Sequence, residues 1–209
     1  MPPPNPQRRV QLADVAMQVL AQKGSRGLTH RAVDAAAGAP PGTTSRYFRS
    51  RDALLGAVVE HALQLHLVDV DPNSAELTIG EDDLADQLAA VVRDALGPGR
   101  LRHIAVAELY LESSRRPELH ATMAEATRRH LDGVRSLFAA AGAELSEDEV
   151  LRFVSFVDGL LFVLMTAPPS PPAEDLAESL LRQQVADLLA RQKGGGSSVA
   201  GGGAGASGR

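Results

Sequence analysis

The stretches Gly24-Ser-Arg-Gly-Leu-Thr-His-Arg-Ala-Val33 and Pro40-Pro-Gly-Thr-Thr-Ser-Arg-Tyr-Phe48 decide the fold of this 209-residue chain. Thr29 has the side chain of a helix N-cap, so the first stretch predicts a short helix over 30–37. The second stretch predicts another short helix over about 41–48, because proline is tolerated in the first turn of a helix. Two short helices joined by a tight glycine-containing turn are typical of a helix-turn-helix.

A longer helix is predicted on each side of this motif. Before it, four apolar residues share one helical face: Leu12, Ala16, Val19 and Leu20. Gly24 and Gly27 are expected to end this first helix. After the motif, Ser50 is the predicted N-cap of a fourth helix rich in leucine and valine.

Helical spacing continues through the second half of the chain. Five more helices are predicted there, over about 81–96, 101–114, 117–141, 147–167 and 173–192. No alternating strand pattern of useful length occurs. The sequence therefore predicts an all-α fold of about nine helices, with an N-terminal three-helix helix-turn-helix head and a C-terminal helical body.

Composition divides the chain further. We expect a disordered proline-rich tail over 1–7, a head over 8–66, a linker over 67–80, a body over 81–193 and a disordered Gly/Ser/Ala tail over 194–209. The absence of cysteine excludes a disulfide scaffold, a thiolate metal site and a cysteine nucleophile. No secretory or membrane segment is apparent, so a cytoplasmic location is expected, with no membrane partner.

Charge is distributed unevenly between head and body. Residues 1–66 contain eight Lys/Arg and four Asp/Glu, for a net charge of +4, although the whole chain carries −5. A basic head on an acidic body favours binding of a polyanion by the head. In a helix-turn-helix the third helix enters the major groove of DNA.

Ten residues are the predicted contacts to double-stranded DNA. Those at the start of the second helix suit a phosphate, although Arg31 could instead reach a guanine edge. Those of the third helix suit base edges, and the last two suit the sugar-phosphate backbone. They are Thr29, His30 and Arg31; Pro41, Gly42, Thr43, Thr44 and Arg46; and Tyr47 and Arg51.

The pattern Gly24 to Val33, Ala37-Gly38, Gly42-Thr43 and Tyr47 to Leu55 resembles the DNA-binding domain of the tetracycline-repressor (TetR) family. The resemblance covers about residues 8–65. It implies an all-helical homodimer whose body binds a small effector that releases DNA, and it implies the same DNA contacts except Thr44. A weaker similarity to one C-terminal subgroup runs from about residue 108 to 119.

Three positions depart from the family pattern. Thr44-Ser45 stands where many members have Leu-Tyr, Asp34 stands where a compact alanine is usual, and Pro40-Pro41 replaces a polar pair. These departures affect the expected operator sequence and leave the expected mode of binding unchanged.

The last two helices are predicted to form a dimer interface. Residues 150–165 are apolar nearly all round, and the final helix carries a leucine-rich stripe, so two such helices from each subunit suit a four-helix interface. An ordinary monomer core is the alternative. The predicted interface residues are Phe153, Val157, Leu161, Leu164, Leu180, Leu181 and Leu188.

Polar or aromatic residues on apolar stretches are the candidate effector contacts, since a ligand pocket combines apolar walls with a few polar groups. The candidates are His66, His103, Tyr110, Met123, Thr127, His130, Phe153, Phe156 and Asp158. Tyr110, Met123, Thr127, His130, Phe156 and Asp158 are predicted to contact the effector. Asp158 is equally suited to a cap or to a pair across the dimer, and the scarcity of aromatics favours an aliphatic or mixed effector.

The sequence thus predicts a ligand-responsive repressor with no metal site and no cofactor. No nucleophile elbow, phosphate loop or paired-histidine zinc helix is present. The glycine-rich C-terminal tract is not a dinucleotide loop, because no strand precedes it and no helix follows it. The alternatives are a helical sensor or interaction protein that has lost operator binding and a helical enzyme acting on a small molecule.

Overall fold

The computed structural model describes residues 5–66, 80–166 and 173–195, which form nine helices and no strand. The all-α prediction is confirmed. The helices are α1 (Pro6–Gly27), α2 (His30–Ala36), α3 (Thr43–Tyr47), α4 (Arg51–His66), α5 (Glu81–Leu96), α6 (Arg100–Ser113), α7 (Pro117–Ala140), α8 (Glu147–Thr166) and α9 (Ala173–Gly195). Within these ranges no helix is long and apolar enough to span a membrane.

Both ends of the described chain differ slightly from the predicted segments. Helix α1 begins at Pro6, inside the tail predicted over 1–7, because Asn5 caps it by accepting from the Gln7 N–H at 2.9 Å. Helix α9 continues to Gly195, inside the tail predicted over 194–209. The remainder of both tails and nearly all of the predicted linker lie outside the described residues.

Gly24 interrupts the first helix. Its φ of 65° lies in the left-handed region, which glycine adopts without steric cost. A further turn follows and ends at Gly27. The two glycines therefore act together as predicted: Gly24 interrupts the regular helix with a kink, and Gly27 ends the element.

Two apolar cores hold the helices together. The first combines the head residues Leu12, Leu20 and Phe48 with Leu109 of α6 and Met123 of α7. Head and body thus share one core, although composition placed a boundary between them.

The second core lies among α5, α7, α8 and α9. Phe138 and Phe153 meet edge to face there, with ring centroids 5.0 Å apart and an interplanar angle of 78°. This is a preferred aromatic geometry. Helix α7 contributes to both cores and so connects the head side of the molecule to its far end.

Candidate DNA-binding surface and ligand cavity

The start of α3 is held by a side chain from α2. Gly42, the residue before α3, has a φ of 85° and provides no side-chain cap. Asp34 replaces that cap: its Oδ1 accepts from the Thr44 N–H at 2.7 Å, and its Oδ2 accepts from the Gly42 N–H at 2.8 Å. The two helices of the motif are therefore fixed to each other by a buried carboxylate.

The pKa of Asp34 is held below its ordinary value. Burial alone would raise this pKa, but hydrogen bonds from the Thr44 hydroxyl and from the Thr44 and Gly42 N–H groups outweigh burial and lower it. Asp34 is thus a carboxylate at neutral pH.

Basic side chains of the head are left available for a polyanion. Arg31, Arg46 and Arg49 are exposed, and none forms an ion pair with the described residues. The acidic residues of the head all have partners: Asp14 contacts His61, Asp34 caps α3, Asp52 pairs with Arg116, and Glu60 pairs with Arg129. The head therefore presents cations without neighbouring anions to neutralise them.

Most predicted DNA contacts lie on this surface. Thr29, Arg31, Pro41, Gly42 and Arg46 are exposed, and Thr43 is partly exposed. Thr29 also caps α2, because its hydroxyl accepts from the Ala32 N–H at 3.1 Å.

Thr44 was predicted to contact DNA, and the structure contradicts this. Its exposed fraction is 0%, and its hydroxyl donates to Asp34 at 2.5 Å. The residue points into the head because the third helix has one inward face, which the short sequence pattern did not define.

Arg51 was predicted to hold the DNA backbone, and it has a different role in the structure. Its guanidinium donates to the carbonyl oxygens of Leu28 and Ser25 and to the Ser25 hydroxyl. These groups are at the end of α1, where carbonyls lack partners within the helix. Arg51 therefore ties α1 to α4, and these bonds engage both terminal nitrogens of its guanidinium.

Two other predicted contacts are constrained by the fold. The His30 ring lies with Nε2 2.6 Å from the Phe48 carbonyl oxygen, so this nitrogen donates within the head. Tyr47 is partly buried and packs against the first core.

Arg9, which the sequence did not single out as a contact, lies over the Phe48 ring at 4.7 Å and donates to the Tyr47 carbonyl at 3.1 Å.

Ser45 and Arg49, which are not among the predicted DNA contacts, lie on the same part of the head. Both are exposed on or directly after α3. Arg49 belongs to the cluster of basic residues that gives the head its charge, and this charge was the available signal.

A cavity of about 430 Å³ lies among helices α4 to α8. Five of the six predicted effector contacts line it: Tyr110, Met123, Thr127, His130 and Asp158. His103 lines it as well. Phe156 does not, because it packs against the second core, and the prediction for Phe156 is wrong. Phe153 is also in that core, and the side chain of His66 lies outside those described.

Apolar side chains form most of the cavity wall. They include Val59, Ala62 and Leu63 of α4, Val91 of α5, Val106 of α6 and Phe162 of α8. Sequence reasoning missed the α4 residues, because their leucine and valine pattern equally describes an ordinary packed face. Apolar walls with a few polar groups are typical of small-molecule sites.

The polar groups of the cavity differ in their hydrogen-bond partners and in the direction of their pKa shifts. The Tyr110 hydroxyl and Thr127 Oγ1 are 3.2 Å apart and hydrogen-bond to each other. His103 Nε2 is 3.3 Å from Asp94 Oδ2. Desolvation lowers the pKa of His130, opposed by the charge of Asp158, and desolvation raises the pKa of Asp158, opposed by His130.

The predicted dimer interface is largely on the wrong side of its helices. Phe153, Leu161, Leu181 and Leu188 are buried within the protomer, in the second core. Val157 and Leu164 are partly buried against the same core, and Leu180 alone among the seven is exposed. A helix that is apolar nearly all round does not reveal from sequence which stripe faces its own core.

An apolar stripe of α8 and α9 remains exposed, and Leu180 is the one predicted interface residue in it. It consists of Leu151, Phe162 and Val163 on α8 and of Leu176 and Leu180 on α9. Phe162 and Val163 are 54% and 57% exposed, which is unusual for large apolar side chains next to each other.

A buried carboxylate joins head and body. Glu112 of α6 is 7% exposed and accepts hydrogen bonds from Arg115, Arg116 and the Ser25 side chain. Arg116 Nη1 also donates to Asp52 of α4 at 3.1 Å. Burial would raise the pKa of Glu112, but these hydrogen bonds outweigh burial and lower it. Among the described residues no group of three His, Asp or Glu side chains could hold a metal ion.

Two family models match the chain. The model for bacterial regulatory proteins of the tetR family matches residues 12–58, and the model for the tetracyclin repressor-like C-terminal domain matches residues 80–191. The first contains the helix-turn-helix, and the second contains α5 to α9. No curated protein sequence matches the chain.

Solved structures agree with both models. A TetR-family member from Streptomyces coelicolor A3 is 34% identical with a TM-score of 0.64, and the alignment covers 86% of this chain and 98% of that one. The multidrug binding protein EbrR complexed with ethidium is 34% identical with a TM-score of 0.62, over 87% and 99% of the two chains. Salmonella enterica GusR, at 19% identity and a TM-score of 0.66 over 90% and 98%, shares the fold. The chain belongs to the TetR family of DNA-binding, ligand-responsive transcriptional regulators.

Proposed function

We propose that this protein is a repressor that binds a palindromic operator as a homodimer and leaves it when a small-molecule effector fills the cavity. The proposal joins three features of the chain: the unpaired cations of the head, the exposed apolar stripe of α8 and α9, and the largely apolar cavity between them.

The observation that carries the proposal is the course of α4. This helix begins at Arg51, which is bonded to the end of α1, and it reaches the cavity wall at Val59, Ala62 and Leu63. A ligand that pushes on this wall therefore acts on a helix fixed to the head. Since coupling between two sites is reciprocal, operator and effector would weaken each other's binding.

The exposed stripe supports a two-fold dimer. Apolar side chains of α8 and α9 would be buried against the same stripe of a second copy. Two heads held in this way would present their α3 helices to successive major grooves, about 34–36 Å apart.

The complexes of EbrR with ethidium and with proflavin support a small-molecule role for the cavity. The cavity volume is within the range that holds a drug-sized ligand, about 300–1,000 Å³.

Selection from a random DNA pool by the purified protein tests the proposal. We expect one palindrome to be enriched, with two chains bound per site and an affinity that falls steeply with salt. Arg31→Ala with Arg46→Ala should weaken binding by about 1–3 kcal/mol per residue. Arg135→Ala, an exposed arginine of α7, is the matched control and should bind as the wild type does.

No enrichment by a folded, dimeric protein would contradict the proposal. It would instead favour a helical sensor or interaction protein without an operator.

A further inference from the structure

Asp158 is the acidic group of the cavity, and the described residues give it no hydrogen-bond partner. It lies on α8 between Val157 and Gly159, both of which also line the cavity. Its carboxylate forms no hydrogen bond and no salt bridge with the residues that the structure describes. The side chain remains accessible from the open cavity, yet the surrounding protein desolvates it enough to raise its pKa. A carboxylate in such surroundings is stabilised by a positive charge placed beside it.

The other titratable groups of the cavity do not supply this positive charge. His130 of α7 faces Asp158, but desolvation lowers the pKa of its imidazole, so the ring is neutral at neutral pH. On α6, His103 interacts with Asp94, and Tyr110 bonds to Thr127.

The remaining walls add no charge. The cavity residues contributed by α4 and α5 are all aliphatic. Among the described residues the cavity therefore has one carboxylate and no lysine or arginine, a lining that suits a ligand with one positive charge.

The shape and lining of the cavity define the rest of the ligand. About 430 Å³ accommodates a body of two or three fused rings, and the walls that would contact it are apolar. Phe162 and Tyr110 add aromatic surface at the cavity edge, and aromatic faces attract organic cations.

We propose that the effector is a lipophilic organic cation with a single charge, bound with that charge against Asp158. This inference rests on the proposed function, because it names the ligand class of the same cavity. A dication would leave its second charge without a partner, and a neutral analogue would leave Asp158 unsatisfied. Both should bind more weakly than the monocation.

Fluorescence titration of the full chain with ethidium, without DNA, tests the inference. Asp158→Asn preserves shape and removes the charge, and we expect it to weaken ethidium binding about 30-fold or more. Asp132→Asn removes an exposed carboxylate of α7 outside the cavity and is the matched control, expected to bind as the wild type does. Equal affinity of wild type and Asp158→Asn for ethidium would overturn the inference.

A second series uses the wild-type chain alone, so it does not depend on the folding of a variant. Ethidium, the related dication propidium and the neutral 6-phenylphenanthridine are compared by calorimetry. We expect ethidium to bind most tightly. Equal or tighter binding of the neutral compound would overturn the inference.

Operator release separates this inference from the proposed function. Tetraphenylphosphonium, a monocation that does not intercalate, is added to the protein–operator complex. If the monocations bind through Asp158 but release no DNA, the ligand class stands and the proposed function fails. If neutral compounds release DNA and Asp158→Asn responds as the wild type does, the proposed function stands and the ligand class fails.

Discussion

The Thr44 hydroxyl donates to the Asp34 carboxylate across 2.5 Å, and the Thr44 N–H donates to the same oxygen at 2.7 Å. Asp34 is 4% exposed and Thr44 is fully buried. The position where the family commonly has alanine is thus occupied here by a side chain that caps the recognition helix from α2. The contact fixes the start of α3 to α2.

Asp34→Ala should destabilise the protein by about 1–3 kcal/mol, because it leaves the buried Thr44 donors without a partner. Urea unfolding followed by circular dichroism measures the change. Asp187→Ala, at an exposed position of α9, is the control and should stay within about 0.5 kcal/mol of the wild type. Wild-type stability of Asp34→Ala would show that the contact contributes nothing.

The same contact sets an acid dependence of stability. The pKa of Asp34 is lower in the folded protein than its ordinary 3.8. Its contribution to the free energy of unfolding is therefore fully present above that value and is lost as pH falls through the lower folded pKa. We expect Asp34→Asn to flatten the loss of stability below about pH 4, measured by unfolding at several pH values.

Substitution of Arg51 should lower the stability of the protein, whereas substitution of Arg46 should lower its affinity for DNA. Arg51→Ala removes the donors to the end of α1, so we expect a lower midpoint of thermal unfolding. Arg46→Ala removes an exposed, unpaired cation, so operator affinity should fall while the midpoint stays unchanged. Calorimetry and fluorescence anisotropy measure the two effects. If Arg51→Ala lost DNA affinity and kept normal stability, Arg51 would be a DNA contact and the prediction would be wrong.

Glu112 is expected to transmit the effector signal between body and head. It lies two residues after Tyr110 of the cavity and accepts hydrogen bonds from Ser25 and Arg116. Glu112→Gln should retain effector binding but reduce, by about fivefold or more, the change in operator affinity that effector causes. Operator anisotropy with and without effector measures this coupling. Gln11→Glu, an exposed change in α1, is the control. An unchanged coupling in Glu112→Gln would place the signal elsewhere.

The dimer should depend on the exposed stripe, to which Leu180 alone among the seven predicted interface residues belongs. Val163→Asp with Leu180→Glu places charges on that stripe, and we expect a monomer in sedimentation equilibrium. Ser136→Asp, on an exposed part of α7, should leave the dimer intact. A dimer that persists in the double variant would exclude this stripe as the interface.

Binding of a cationic effector should weaken in acid. The cation requires Asp158 to be ionised, and a protonated His130 would compete for the same carboxylate. The pKa of His130 is below 6.5 and that of Asp158 is above 3.8, so affinity for ethidium should fall as pH decreases between these values. Titrations across this interval, from about pH 7 down to about pH 4, check this. Affinity that is constant over the range would contradict the role of both groups.

Helix positions were predictable from the sequence because local signals set them. Thr29 and Ser50 have capping side chains, and both accept the expected backbone N–H, that of Ala32 and that of Ala53. Pro117 opens α7, where a missing N–H costs nothing. Such signals act over a few residues and need no knowledge of the fold.

The direction in which a side chain points was less predictable. Tyr110, Thr127, His130 and Asp158 were recognisable from the sequence as residues of one cavity. Polar side chains on largely apolar helices are seldom buried in a core, so a cavity wall is the usual position for them. Phe156 was misplaced, since an aromatic residue suits a core as well as a pocket.

By itself, the sequence determined nine helices, the helix-turn-helix, the basic head and the family. Only the tertiary structure decided that Thr44 is buried, that Arg51 caps α1, and which faces of α8 and α9 remain exposed. Capping and helical period are properties of neighbouring residues. The partner of a side chain is chosen by residues far away in the chain, as Arg51 and Ser25 or Glu112 and Ser25 show, so it is defined only when the helices have packed.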